Sequence, residues 1–514
     1  MSAAPEVPRL FTVGCVSEQL GKTEAALVAA RREHLESLRK RSGDPFAQTR
    51  YPVDANTAEL SARYGFLENG QRAEAEGWNL AGRLLSKRVM GKTIFADLQD
   101  VTGRLQLYVR KDEIGEEGFA DWQDLERGDL VGVRGYMFRS KMGELTLHVT
   151  SSTVLGKALM PLPDKWHGLQ DIEKRYRQRY VDLIVNPEVR ETFLQRSRIV
   201  AEIRRFIDAR GFYEVETPTL VQLAGGAAAR PFLTYVNALD QEMQLRIATE
   251  LNLKRLIIGG LERVYEIGRI FRNEGIDTTH NPEFTMLELY AAYWDIGEMM
   301  EFNEALIARL VDVVTGGGTE LAFGDHTISF APPFARIGYL EALLHYSAGK
   351  YTRERLLDAR GAAAILQELD LPASPSHGHA LDKIFERIVE PHLIVPTFVT
   401  EYPVIISPLA KRKADDAMLA QRYELFCANM EISNAFTELN DPDDQRARFE
   451  AEAAQRAQGD QEIPEPDWDF VRALEYGMPP TAGIGIGVDR LVMLLTNNTS
   501  VRDVILSPLQ RRHV

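Results

Sequence analysis

Glu266-Ile-Gly-Arg-Ile-Phe-Arg-Asn-Glu-Gly275, followed by Thr278-Thr-His-Asn-Pro-Glu-Phe-Thr-Met-Leu-Glu-Leu-Tyr290, reads as two strands around a polar loop. Side chains i and i+2 of a strand share a face. Gly268, Ile270, Arg272 and Glu274 therefore share one side of the first arm. Phe284, Met286, Glu288 and Tyr290 share one side of the second, and Thr285, Leu287 and Leu289 suit a core. An arginine grips phosphate through two N–H groups at once. A phenylalanine offers a stacking face to a purine, and a Glu–Tyr pair offers acceptors for a buried cation. One wall carrying all three suits a nucleotide beside an ammonium group. The plainer alternative is a hairpin with a surface set of ion pairs.

Two segments further along add to that wall. Arg422–Phe426 and Met430–Phe436 read as strands around a turn near Cys427–Asn429. With Cys427-Ala428 as the loop, Glu424 faces Glu431; with the loop shifted by one residue they are diagonal neighbours. Paired carboxylates repel unless a cation sits between them, and oxygen ligands are what Mg²⁺ prefers. The alternative is an open turn with both solvated. Ala482-Gly-Ile-Gly-Ile-Gly-Val-Asp-Arg-Leu-Val-Met-Leu-Leu495 reads as a glycine-spaced strand running into an apolar helix. Its glycines stand at 483, 485 and 487, not in the GxGxxG spacing of a dinucleotide fold. They permit close approach of a ligand or a strand. Arg490 falls in the helix's first turn, where the dipole also favours an anion.

Upstream, Glu191–Arg210 reads as a helix with Ile199, Ile203, Phe206 and Ile207 on its apolar face. Gly211 follows as its C′ residue, and a strand over Phe212–Glu216 closes at Pro218. Earlier still, Trp78–Ser86, Thr93–Gln99, Arg104–Val109, Leu130–Arg139 and Glu144–Val149 read as five short strands. Gly91, Gly103, Gly128 and Gly143 punctuate them, which suits a small closed barrel of the OB type. Alternation turns Ile94, Ala96, Leu98, Leu105, Leu107 and Val109 inward and Phe95, Gln106 and Tyr108 outward. That outer set suits stacking and edge contacts to single-stranded nucleic acid. Residues 17–41 read as an amphipathic helix stopped at Ser42-Gly43-Asp44-Pro45, with Arg31, Arg32, Arg39, Lys40 and Arg41 between its leucines. Either it packs with a solvated basic face or it touches a polyanion. A linker over 156–190 holds Pro161, Pro163 and the basic run Lys174–Arg179.

The bulk numbers limit the class. At 514 residues the chain is too long for one core. No run of about 18 apolar residues suggests a membrane span, and Met1–Val16 shows no secretory h-region. The 2 cysteines, Cys15 and Cys427, exclude a disulfide framework and fit a reducing cytoplasm. The net charge of −15 is uneven: residues 1–160 balance at 22 basic and 22 acidic side chains, and the excess acid lies entirely beyond them. Local basic patches, not the total, decide phosphate binding.

Taken together, these segments resemble the signature motifs of the class II aminoacyl-tRNA synthetases. The helix and strand ending in Glu214-Val-Glu-Thr-Pro218 resemble motif 1, the dimer-forming element. Phe271-Arg-Asn-Glu274 with His280-Asn-Pro-Glu-Phe284 resembles motif 2, and Gly483–Leu494 resembles motif 3. A barrel ahead of the catalytic domain is similar to the subgroup that also holds the aspartyl and asparaginyl enzymes. Within it, Gly225-Gly-Ala-Ala-Ala-Arg-Pro-Phe232, Met286-Leu-Glu-Leu-Tyr290 and Asn434-Ala-Phe-Thr-Glu-Leu-Asn440 resemble the bacterial-type lysyl enzymes, as do Pro161–Lys165 and Tyr176–Tyr180.

The resemblance implies an α+β chain with an OB-fold barrel and a catalytic domain on a mixed, mainly antiparallel sheet flanked by helices. It implies an extension over 1–50, an anticodon-binding barrel over 51–160, a linker over 161–190 and the catalytic domain over 191–514. The implied activity is ATP-dependent ligation of L-lysine to its tRNA through an adenylate, with Mg²⁺, in a cytoplasmic homodimer without membrane attachment. By the same resemblance Arg272, Glu274, His280, Phe284 and Arg490 bind ATP, with Arg272 and Arg490 catalytic. Gly226, Glu250 and Asn434 hold the two ends common to amino acids, and Glu288, Tyr290 and Glu438 meet the ε-ammonium. Glu424 and Glu431 hold the metal, and Arg88, Phe95, Gln106 and Glu144 read a U-rich anticodon. Thr249, Asn252 and Cys427–Met430 depart from the family's proline, tyrosine and glycine-rich turn, and residues 1–24 match nothing in it. Aspartyl and asparaginyl enzymes need a cationic pocket. A nucleic-acid-binding regulator is expected to lack Arg272, Arg490 or the glutamate pair. A protein-lysylating relative is expected to lack the barrel.

Overall fold

The structure, a computed structural model, describes residues 22–163, 169–457 and 463–511, in two units that divide between Gly168 and Leu169. In the first unit, alternation builds the barrel. Strands Trp78–Met90, Thr93–Gln99, Arg104–Arg110, Leu145–Gly156 and Leu130–Arg139 are hydrogen-bonded in that order and close on themselves. Only Arg104–Arg110 against Leu145–Gly156 is parallel. Ile94, Ala96, Leu98, Leu105, Leu107 and Val109 are all buried in the barrel core, together with Phe119 and Trp122 of the helix Lys111–Asp124. The first strand runs on to Met90, up to Gly91, and the last to Gly156, past the expected ends at Ser86 and Val149.

The amphipathic helix spans Lys22–Ser42; residues 17–21 of the expected helix, Met1–Val16 and Cys15 lie outside the described residues. Arg31 and Arg41 turn inward, while Arg32, Arg39 and Lys40 stay exposed. Arg31 is buried and donates to the carbonyl of Ala158 at 2.7 Å, and Arg41 donates to Asp121 and Asp124 at 2.7 and 2.6 Å. These arginines hold the helix against its own unit and are not free for a polyanion.

In the second unit the expected linker is largely helical, with helices Ile172–Arg177 and Arg179–Val185. Its basic run folds inward: Arg179 is buried, donating to Asp182 at 2.6 Å and to the carbonyls of Arg502 and Leu506. Helix Pro187–Asp208 buries the expected Ile199, Ile203, Phe206 and Ile207. Its C-cap is Ala209, which makes Arg210 the C′ residue and puts Gly211, expected there, one position beyond it at φ +77°; the strand that follows is only Tyr213–Glu214.

An eight-stranded sheet runs in the order Ala335–Gly338, Thr397–Thr400, Arg422–Cys427, Met430–Thr437, Thr481–Gly487, Glu283–Ala292, Arg263–Phe271 and Tyr213–Glu214. Its two outermost pairs are parallel and the rest antiparallel. The α+β expectation, with a mixed sheet flanked by helices, holds. Leu287, Leu289, Ile432, Ile484 and Ile486 project from one face into a core shared with helices Pro187–Asp208, Ile296–Thr315 and Val488–Leu495. Truncating one such leucine to alanine costs about 2–5 kcal/mol. The other face of the same strands is free of this core and forms the floor of a cavity.

Candidate active site

Strand register lays the floor out in rows. Glu424 pairs with Asn434, Asn434 with Gly485, Gly485 with Glu288, and Glu288 with Glu266. The next row is Phe436, Gly483 and Tyr290. Glycines alternate with Ile484 and Ile486, so one side of that strand fills the core and the other leaves room. At Gly483 a Cβ would run into the Tyr290 ring and the Glu438 carboxylate. The cavity over this floor has a volume of about 530 Å³. Gly226, Glu250, Arg272, Glu274, His280, Phe284, Glu288, Tyr290, Glu424, Glu431, Asn434 and Arg490 all line it. Glu438 does not; it lies one side chain deeper, behind Gly483 and Tyr290.

At one end, Arg272 leaves the strand Arg263–Phe271 half-buried, with its guanidinium 5.2 Å from the Phe284 ring centroid. Burial lowers its proton affinity, while Glu274, Glu431 and Glu288 act to raise it, so all three acids lie within its electrostatic reach. An arginine nonetheless stays cationic. Its Nε donates only a long 3.3 Å bond to the carbonyl of Ile247. Arg490 donates to the carbonyl and carboxylate of Glu431 at 3.0 and 3.3 Å and lies 3.0 Å from His280 Nε2. Because arginine cannot accept, that nitrogen is the acceptor, and Nδ1–H donates to Asp277 at 2.8 Å. Burial opposes ionisation of Asp277, yet the amides of Thr279 and His280 and the histidine itself hold its carboxyl down at about 2.

The other end is acidic and buried. Glu288 accepts from the amide of Thr249 at 2.9 Å and from the Tyr290 hydroxyl at 3.2 Å, and burial pushes its carboxyl up to about 7. Glu250 begins the helix Glu250–Ile258 and accepts from Lys254 Nζ at 2.5 Å; Lys254 is fully buried and also pairs with Glu438. Gly226, at φ +86°, brings its backbone against the Glu250 side chain, where a Cβ would press on Glu250 and Ala248.

The carboxylate hairpin differs from the two-residue loop at Cys427-Ala428. The turn residues are Ala428 and Asn429, both left-handed at φ +51° and +62°, which places Cys427 opposite Met430. A bulge follows, so Glu431 sits opposite Phe426 and Glu424 opposite Asn434. The two acids are diagonal, as in the shifted register, and both line the cavity. Burial pushes Glu424 up to about 7 against the pull of Arg422, with the Glu431 charge adding to the rise. Glu424 accepts from the Tyr402 hydroxyl at 2.7 Å and from Arg422 at 2.5 Å. Among the described residues no three His, Cys, Asp or Glu side chains gather closely enough to hold a metal ion by themselves.

Several residues in the cavity wall or directly behind it had no signal in the sequence. Arg422 bridges Glu424 and Asn434, Asp382 lines the same wall with burial raising its carboxyl to about 6, and Lys254 sits among the acids. Each is a polar residue inside an otherwise ordinary helix or strand, and only the fold reveals its neighbours. On the barrel, Arg88 pairs with Phe95 across two strands, the Phe95 ring lies 5.1 Å from that of Tyr108 and tilted 49° to it, and Gln106 accepts from Thr146 at 3.1 Å. Arg88 and Glu144 are exposed.

With this geometry in hand, the comparisons with known proteins agree on its class. The chain belongs to the class II tRNA synthetases (D, K and N), whose family model matches residues 171–511, and an OB-fold nucleic acid binding domain model matches residues 78–155. It is 49% identical to the lysine–tRNA ligase of Halalkalibacterium halodurans over 97% of this chain and 99% of that one. It is 51% identical to the lysine–tRNA ligase of Moorella thermoacetica over 95% and 99%, and 48% identical to that of Bacillus cytotoxicus over 94% and 96%. Among the described residues no helix is long and apolar enough to cross a membrane.

Proposed function

We propose that this chain joins L-lysine to its tRNA at the expense of ATP, through a lysyl-adenylate, releasing pyrophosphate and then AMP. One observation carries the reading: a single cavity holds Arg272 and Phe284 at one end and the buried acids Glu250 and Glu288 at the other. Phe284 stacks on the adenine, Glu274 accepts from its amino group, and His280 and Arg490 meet the outer phosphates. Arg272 grips the α-phosphate. Glu250 and Asn434 hold the α-amino and carboxylate ends of lysine, with the Gly226 backbone beside them, while Glu288, Tyr290 and Glu438 meet the ε-ammonium.

The lysine carboxylate attacks the α-phosphorus and pyrophosphate departs. A ribose hydroxyl of the tRNA then attacks the carbonyl carbon and AMP departs. Arg272 stabilises charge that develops at phosphorus, and the rest is positioning. No side chain need act as a nucleophile. Glu424 and Glu431 fit a divalent cation: two acids whose charges oppose each other line the cavity beside the phosphate end, with oxygen donors only. When bound, Mg²⁺ neutralises phosphate oxygens. The barrel reads the anticodon through Arg88, Phe95, Gln106 and Glu144. The enzyme is cytoplasmic and works as a homodimer through the motif 1 helix and strand.

An aspartyl or asparaginyl substrate meets the wrong charge here, because the pocket's buried acids would face another carboxylate or a neutral amide. ATP–pyrophosphate exchange across the twenty amino acids tests the reading. Exchange with lysine alone supports it, and exchange with aspartate and not lysine overturns it.

A further inference from the structure

Three carboxylates, Glu250, Glu288 and Glu438, are buried around the inner end of the cavity. Ionised carboxylates do not stay buried together without compensation. The compensation inside the chain is one ammonium. Lys254 is wholly buried on the helix Glu250–Ile258, 2.5 Å from Glu250 and paired with one oxygen of Glu438. The other Glu438 oxygen, Oε1, is buried without a hydrogen-bond partner and points to the backbone at Gly483, which lines the cavity.

Counted as ionised, the three carboxylates against one ammonium leave a deficit of two; burial pushes Glu288 up to about 7 and Glu438 up to about 8, so in the empty pocket part of that deficit is met by protons. Lysine brings two ammonium groups into this cluster, while its carboxylate goes to the Asn434 amide, away from the three acids. We propose that Lys254 is a specificity-determining residue: its resident ammonium sets the charge of the amino-acid pocket so that only a substrate with two ammonium groups balances it. The inference rests on the lysine reading and deepens it. Lys254 also keeps Glu438 turned so that Oε1 stays free for the incoming group.

The charged and titratable groups around this cluster are Glu250 and Lys254 from the helix, Glu288 and Tyr290 from the central strand, Glu438 beyond the strand Met430–Thr437, and Arg272 across the cavity. With Lys254 neutral, one more carboxylate goes uncompensated and takes up a proton.

Pyrophosphate exchange on the wild type and on Lys254→Met tests this. The expected result is a KM for lysine raised at least about tenfold, a KM for ATP within about twofold, and an acidic limb of kcat/KM moved to higher pH. A role confined to folding moves neither the KM ratio nor the pH limb in the folded enzyme, and that outcome overturns the proposal. Lys254→Gln keeps N–H donors for both carboxylates and serves if the methionine variant does not fold. A calorimetric titration of the wild type with L-lysine near neutral pH, in phosphate and in Tris, needs no variant. An incoming ammonium displaces the protons held by the buried carboxyls, so proton release is expected, hence unequal heats in the two buffers, and equal heats contradict it. Failure of the wild type to activate lysine at all sinks the underlying reading instead.

Discussion

Arg422 donates from Nε to the side-chain oxygen of Asn434 at 3.1 Å, and this contact decides which way the amide faces. A guanidinium has no acceptor, so the atom it meets is the carbonyl oxygen, and the NH₂ end is left for the occupant of the cavity. Asn434 therefore offers a donor, suited to a carboxylate and not to an ammonium.

Asn434→Asp follows from that orientation. The new carboxylate draws close to Arg422 and presents an acceptor where a donor is needed. The kcat/KM for lysine in pyrophosphate exchange falls by about 100-fold or more, while the KM for ATP changes little. An unchanged kcat/KM removes Asn434 from the site.

Arg272→Ala removes the cation proposed to meet the α-phosphate. Its side chain makes one long hydrogen bond, to Ile247, so the fold loses little. Adenylate formation drops by about 100- to 1000-fold with an unaltered thermal melt, following the magnitude of other positioned donors at developing charge. Near-normal exchange by this variant contradicts the proposed role.

The pH dependence comes from Glu288. Burial raises its carboxyl to about 7, and only the ionised form attracts an ammonium. Below that value the carboxyl carries a proton and lysine binds weakly; above it the charge is present. The KM for lysine therefore falls as pH rises from about 6 to about 8, and Glu288→Gln flattens the profile. A KM for lysine that rises over the same interval runs against the assignment.

In the barrel, Asp129 is wholly buried, accepting from Lys157 Nζ at 2.7 Å and from the amides of Glu126 and Ala158 at 2.7 and 2.8 Å. Asp129→Ala leaves the buried Lys157 with Glu126, at 3.0 Å, as its remaining partner and strips the amides of Glu126 and Ala158 of their acceptor, which costs about 1–3 kcal/mol. Chemical denaturation of the full chain reads this as loss of the barrel transition at lower denaturant, with pyrophosphate exchange retained because that chemistry needs no barrel contact.

What could be read in advance was whatever rests on alternation. Phe95 and Tyr108 had to face out once Ile94 and Leu107 faced in, and Glu288 had to share a face with Tyr290. Glu438 belongs to a different case: its family resemblance placed it at the ε-ammonium, but only the fold shows Lys254 on its other oxygen. The helix Glu250–Ile258 looks ordinary in sequence because a lysine on its inner side breaks the apolar pattern without naming its partners. The turn after Cys427 was open to two registers because neither Ala428 nor Asn429 is a glycine, although both adopt left-handed backbone. The helical turns over 172–185 were hidden by a basic composition that reads as solvated, whereas Arg179 spends its charge on Asp182 and on buried carbonyls.

The central claim is that an acidic pocket for a diamino acid adjoins a cradle for ATP in one cavity. Its most direct measurement is the identity of the acyl group that the purified enzyme places on unfractionated tRNA when all twenty amino acids and ATP are supplied together. Mass analysis of the released amino acid is expected to give lysine alone. Aspartate or asparagine in its place would contradict the account.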